Sequence, residues 1–74
     1  SPTTVVYEIF RDVRRIGSSP EPQRIVVGAH PSVVGLLQDE ERQGLEAVER
    51  ECAAKIIVMP DEHLHLEQYD LAVL

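Results

Sequence analysis

His63-Leu64-His65 is the only local pattern in this 74-residue sequence with the spacing of metal ligands. In an extended segment, side chains two positions apart share a side, so both imidazoles could face one ion. Zinc takes a third and usually a fourth protein ligand. His30 and Cys52 are the donors left over, and no spacing ties either to the pair. Exposed or locally hydrogen-bonded histidines are the expectation, and no metal site is assigned. A nucleophilic Cys52 would need a paired histidine and a stabilised thiolate; its place on an apolar helix stripe assigns it to packing instead. Asp61, Glu62, Glu67 and Asp70 follow no metal-binding or proton-transfer order. Asp39-Glu40-Glu41 suits a helix start better than a magnesium site. With no Walker loop, dinucleotide fingerprint or serine elbow, no catalytic residue is assigned.

Four arginines, Arg11, Arg14, Arg15 and Arg24, are the candidate RNA or partner contacts. They gather in the first third of the chain, whereas Asp39, Glu40, Glu41, Glu46, Glu49 and Glu51 crowd its middle. Thirteen acidic residues against seven basic ones give a net charge of −6. A field of that sign does not draw in nucleic acid or an anionic membrane, both of them polyanions. A local patch can still act, but these arginines are expected to lack interleaved exposed aromatic side chains for bases to stack on. Surface solvation and intramolecular pairing are the competing reading, and weak or no direct RNA binding is expected.

The elements that carry these residues follow from periodicity. Ser1 can cap and Pro2 can open a first helix, SPTTVVYEIFRDVRRIG, in which Val6, Ile9, Phe10, Val13 and Ile16 recur at helical spacing. Gly17 and the prolines of SSPEP stop it. Arg24 to Ala29, apolar on both sides, reads as an interior strand. Pro31 starts a second helix with Val33, Val34 and Leu37 inward. A third begins or renews at Asp39-Glu40-Glu41, with Asp39 expected as its N-cap and Leu45, Val48 and Cys52 as its inner stripe. Gly44 inside it suggests a close helix contact. Lys55 to Pro60 reads as a second strand and Glu67 to Leu74 as a third, with Tyr69, Leu71 and Val73 on one face. Tyr69 can bury its ring while its hydroxyl reaches the rim.

The predicted order is α-β-α-α-β-β, an α/β (α+β) two-layer unit with a three-stranded mixed sheet and helices packed on it. A composition 43% hydrophobic and 27% charged fits a globular chain. A chain this short buries only roughly 60% of its unfolded surface, leaving little room for a deep cleft. If the first helix does not cover the second sheet face, another chain or domain is expected to. Val26, Ile56 and Val58 are the candidates for that face, since alternation alone does not fix which residues share one. One cysteine cannot form an internal disulfide, the N-terminus shows no leader pattern, and no apolar run approaches the ~18 residues of a membrane span; a cytoplasmic protein is expected.

The strand–helix–helix–strand–strand core shares its element order with KH modules, which clamp four nucleotides with a GXXG loop between two helices. Here that junction is Gln38-Asp39-Glu40-Glu41-Arg42, without glycine and with three carboxylates where a phosphate backbone would pass. A small independent KH-like RNA-binding module lacking the GXXG loop is the alternative reading.

Taken in order, VVYEIFRDVRR, RIVVGAHPSVVGLL, DEERQGLEAVE and EQYDLAVL resemble the C-terminal small domain of the ribonuclease E/G family. The matching positions are Tyr7, Ile9, Arg11 and Asp12; Val27, Ala29 and Pro31; Glu40, Glu41, Leu45 and Glu46; and Glu67, Gln68, Tyr69 and Asp70. Asp12 stands where glutamate is usual. Ala54-Lys55 stands where Gly-Lys often precedes the second strand, so a different turn is expected there. The resemblance implies that residues 1–74 are a single small domain, a C-terminal fragment of a larger protein. It implies a cytoplasmic, metal-dependent, single-strand-specific endoribonuclease for ribosomal RNA processing and messenger RNA turnover. Its magnesium aspartates and shared zinc would precede this segment, so no catalytic residue or cofactor carries over to it. Its implied partners are the rest of the parent ribonuclease and its other subunits, with RNA met through the parent. Tyr7, Ile9, Pro31, Glu67, Gln68, Tyr69 and Asp70 are expected to be structural, in a domain that supports the oligomer.

Overall fold

Ser1 caps the first helix as expected in the computed structural model, which describes residues 1–74. Its Oγ accepts the Thr4 amide at 3.4 Å, and Pro2 fills the first turn of α1 (Pro2–Ile16). Val5, Val6, Ile9, Phe10 and Val13 form the buried stripe of α1. The helix stops at Gly17, whose amide donates to the Val13 carbonyl at 2.7 Å. Gly17 is required here by space. A Cβ on it would lie 2.8 Å from the Val13 oxygen and 3.1 Å from both Cβ and Sγ of Cys52.

β1 (Gln23–Ala29) lies at the centre of the sheet, with β2 (Ala54–Pro60) on one side and β3 (Tyr69–Val73) on the other. β1 and β2 are parallel and β1 and β3 antiparallel. Parallel pairing demands a long crossover, supplied by α2 (Pro31–Gln38) and α3 (Arg42–Cys52). Ile25, Val27 and Ala29, fully buried, point to the same side as Ile56 of β2 and join one core with all three helices. Gly44 is a close contact, as its place in the sequence suggested: a Cβ there would sit 2.9 Å from the Phe10 ring. β2 is an edge strand, and Glu49 of α3 protects it by accepting the Ile56 amide at 2.8 Å.

The second face of the sheet carries no helix. Register pairs Arg24 with Lys55, Val26 with Ile57 and Ala72, and Gly28 with Met59 and Asp70, all opposite in pleat to the buried set. This corrects the sequence expectation in part. Val26 belongs to the open face, but Ile56 and Val58 align with Ile25 and Val27 and pack under the helices. The apolar open-face residues of β2 are Ile57 and Met59, 36% and 54% exposed. In an apolar run such as Ile56-Ile57-Val58-Met59 either parity looks buried, and only the helix layer decides between them.

The acidic junction also differs from expectation. Asp39, Glu40 and Glu41 form a turn between α2 and α3, and the N-cap position of α3 is Glu41, with no side-chain cap bond. Asp39 follows the end of α2, and its amide donates to the Leu36 carbonyl. It serves α3 through its backbone, the Asp39 carbonyl accepting the Arg42 amide at 3.2 Å. Asp39→Ala is therefore not a cap deletion. At the other end of α3, Ala53 adopts a left-handed conformation, φ 49° and ψ 44°. A non-glycine residue bears about 1–2 kcal/mol for that. The turn before β2 thus wants glycine, at Ala53 and not at Ala54.

Candidate functional site

α1 and β3 bring the two ends of the chain together at one polar cluster. The Tyr69 hydroxyl donates to Asp12 Oδ2 at 2.5 Å, while Asp12 Oδ1 takes Arg11 Nε at 3.4 Å and Arg15 Nη2 at 3.5 Å. The Tyr69 bond, aided by both guanidinium groups, holds the Asp12 carboxyl below the usual carboxylate range. Burial first, and then the facing carboxylate, push the Tyr69 hydroxyl up. The residues that matched in the first and last motifs, 57 positions apart, are thus direct partners. Tyr69 packs its ring against the core and reaches the rim with its hydroxyl, as expected.

The four arginines do not form one patch. Arg11 and Arg15 share Asp12, and Arg14 Nε bonds Glu51 Oε2 of α3 at 2.7 Å. Arg24 stands apart on the open sheet face and has no ion-pair partner. Among the other family-pattern residues, Ile9 is fully buried and Pro31 opens α2. Tyr7 is 56% exposed and meets Phe10 edge to face. Gln68 Oε1 accepts the His65 amide at 2.7 Å and shapes the turn before β3. Glu67 is exposed in that turn, and Asp70 is exposed beside Gly28.

No three His, Cys, Asp or Glu side chains gather closely enough to hold a metal ion. His30 is engaged locally, Nδ1 accepting the Ser32 amide at 3.0 Å as the cap of α2. Cys52 is buried against Gly17, and burial pushes its thiol up, away from nucleophilic readiness. The α2–α3 junction presents Asp39 and Glu40 to solvent where a KH module would offer its loop.

The open sheet face holds a hollow of about 270 Å³ lined by Val26, Gly28, Met59, Pro60, Asp61, Asp70 and Ala72. Its floor is Gly28, where a Cβ would meet only the Asp70 Cβ, at 3.9 Å. Glycine inside a strand marks a place where something else can approach closely. The signal in the sequence is a glycine within the β-branched run of β1, a pattern that bears on close approach and not on reactive chemistry. Chemically, the polar cluster ties α1 to β3, and the hollow is a contact surface.

No protein-family model matches the chain. Curated relatives do match it. It is 31% identical over 71 residues to ribonuclease G of Salmonella typhimurium (strain SL1344), and equally to ribonuclease G of Escherichia coli (strain K12) and of Shigella flexneri. Those alignments cover 96% of this chain and 14% of each relative. The chain thus spans about a seventh of the length of the relatives it matches, and the match gives it a distant link to the ribonuclease E/G family.

Proposed function

We propose that this chain is a non-catalytic structural and oligomerisation domain of a ribonuclease E/G-like, single-strand-specific endoribonuclease. The parent enzyme would work in the cytoplasm on ribosomal RNA precursors and messenger RNA. Its magnesium and zinc would be held outside residues 1–74. The domain's partners are the rest of that protein and its other subunits, and RNA is met through the parent. The observation that carries the reading is the alignment of 96% of the chain with a short stretch of ribonuclease G. Two others support it. The first and last family-like motifs lock together through Tyr69 and Asp12, and three of the four candidate arginines already have carboxylate partners inside the fold.

Grafting tests it. Residues 1–74 replace the aligned stretch of Escherichia coli ribonuclease G, and subunit mass and cleavage of a single-stranded RNA are measured on the chimera and on the free chain. The chimera is expected to keep both its assembly and its cleavage, and the free chain to cleave nothing. A chimera that assembles no better than ribonuclease G deleted of that stretch overturns the proposal. So does low-micromolar RNA binding by the free chain that is lost when Arg14 and Arg15 are replaced together, the outcome an independent RNA-binding module demands.

A further inference from the structure

The open sheet face is self-complementary in charge, and we infer that it is the contact between two copies of this chain, packed face to face about a two-fold axis. The inference rests on the oligomerisation reading above and names the surface that serves it. Four charged residues border the face. Arg24 and Lys55 are register partners at the end where β1 and β2 begin. Asp61 and Asp70 line the hollow at the other end, past Gly28 and Met59. None of the four forms an ion pair within the chain, whereas Arg11, Arg14, Arg15 and Arg42 all do. Between the charged ends lie Val26, Ile57, Met59 and Ala72, which are apolar, with Ile57 and Met59 well exposed.

One symmetry operator satisfies this pattern. A two-fold axis lying between the sheets and perpendicular to the strands reverses the strand direction in the partner. It sets each β2 over the other β2, so Lys55 of one copy meets Asp61 of the other and Arg24 comes within reach of Asp70. The same contacts then recur on the far side of the axis, the isologous arrangement of closed dimers. An axis parallel to the strands would set like charges against each other, Arg24 over Arg24, a repulsive arrangement. Val26 and Ile57 fall near the chosen axis, and the same operator sets Arg24 of the other copy over the Gly28 hollow, whose lining includes Asp61 and Asp70. Aligned face-to-face sheets pack about 10 Å apart in this way.

The area sets the strength. Three strands about 4.8 Å apart and seven residues long at about 3.3 Å each give a plan area of roughly 330 Å² per copy. That lies below the ~1,200 Å² total of specific stable complexes. The contact is therefore weak alone, with a dissociation constant on the order of 0.1–1 mM, and becomes effective between copies already tethered in an assembly.

The test is a charge swap read by sedimentation equilibrium on the 74-residue chain from ~10 μM to ~2 mM at low ionic strength, where surface charges act most strongly. One variant carries Arg24→Glu and Lys55→Glu, the other Asp61→Lys and Asp70→Lys, each checked for its fold by circular dichroism. The unaltered chain is expected to show a monomer–dimer equilibrium, and each variant to dimerise at least about tenfold more weakly. An equimolar mixture of the two variants is expected to recover dimer, because one then presents carboxylates at both ends and the other amines. Ile57→Glu, on an exposed position near the axis, should abolish association even if the Asp61 substitution perturbs its loop. Association that ignores both swaps and Ile57→Glu overturns this face and leaves the oligomerisation reading standing. A chain that stays monomeric to ~2 mM overturns the inference and leaves the face to some other partner, while the grafting experiment judges the proposed function separately.

Discussion

The two sides of β1 are built from alternate residues of one seven-residue strand, and they behave as parts of different molecules. Ile25, Val27 and Ala29 lie under three helices with no exposure, while Arg24, Val26 and Gly28 form the middle of a face that no element covers. Charge follows the same division. On the helical layer several charged groups are partnered inside the chain, Arg14 with Glu51, Arg42 with Glu46, and Asp12 with Arg11, Arg15 and Tyr69, while Glu8 and Arg50 form no ion pair. On the open face the charged groups have no such partners. A strand that is apolar on both sides belongs to a sheet covered on both sides. The helical side is covered within 74 residues, and the open side is the one that the inferred contact would cover.

The largest effect that could break this comparison is a truncation on each side of β1. Ile25→Ala is expected to cost about 2–5 kcal/mol, the usual range for emptying a buried aliphatic site. Val26→Ala, one residue away, is expected to cost under about 1 kcal/mol in dilute solution. Urea denaturation of both variants measures this. Equal costs at low concentration would mean that the face is covered within the monomer. A Val26→Ala cost that grows with protein concentration would sharpen the comparison, since stability linked to association depends on concentration.

How much of this was legible in the sequence depended on whether the signal was local. All six elements and their order could be read, because Val6, Ile9, Phe10 and Val13 carry helical spacing and Pro31, Gly17 and SSPEP punctuate it. The contact at Gly44 could be read for the same reason. The parity of β2 could not, since Ile56 to Met59 is apolar at every position. The Asp39 cap failed because the chain spends three residues on the turn and the Asp39 carbonyl takes the role expected of its carboxylate. The Tyr69–Asp12 pair joins residues 57 apart, and no periodicity reports a contact of that range. The open face needed topology: only the position of all three helices on one side exposes Gly28, Ile57 and Met59.

Two glycines on opposite sides give a smaller contrast. Gly17→Ala drives a methyl into the Val13 carbonyl and Cys52, and overpacking of that kind costs about 1–3 kcal/mol. Gly28→Ala meets only an ordinary contact with Asp70, and is expected to stabilise the strand by about 0.5–1 kcal/mol. Thermal unfolding in dilute solution should show opposite signs for the two. The same Gly28→Ala protein should associate more weakly if the hollow receives a partner side chain. A loss of monomer stability on Gly28→Ala would mean that the hollow is filled from within the chain.

The smallest expected effect tests the internal partnering of charge on the helical side. In the folded chain the Asp12 carboxyl is lowered, chiefly by the Tyr69 hydroxyl and then by Arg11 and Arg15. Its contribution to stability is therefore present above the ordinary carboxylate value of about 3.9, and is lost as pH falls through the lower folded value. The Tyr69 hydroxyl is raised, by burial and then by Asp12. Its contribution is full below the ordinary tyrosine value of about 10, and is lost as pH rises through the higher folded value. One hydrogen bond thus contributes to both limbs of the stability profile. Tyr69→Phe should remove the alkaline contribution and shrink the acid one to what Arg11 and Arg15 supply. Asp12→Asn should remove the acid contribution and leave a weakened alkaline one. Melting temperatures of the three proteins between about pH 3 and pH 11 would show this, each variant flattening the limb assigned to it. Parallel profiles in all three would mean that the tie between α1 and β3 is not formed in solution, and that β3 is held to the helical layer by the packing of Tyr69 and Leu71 against the core.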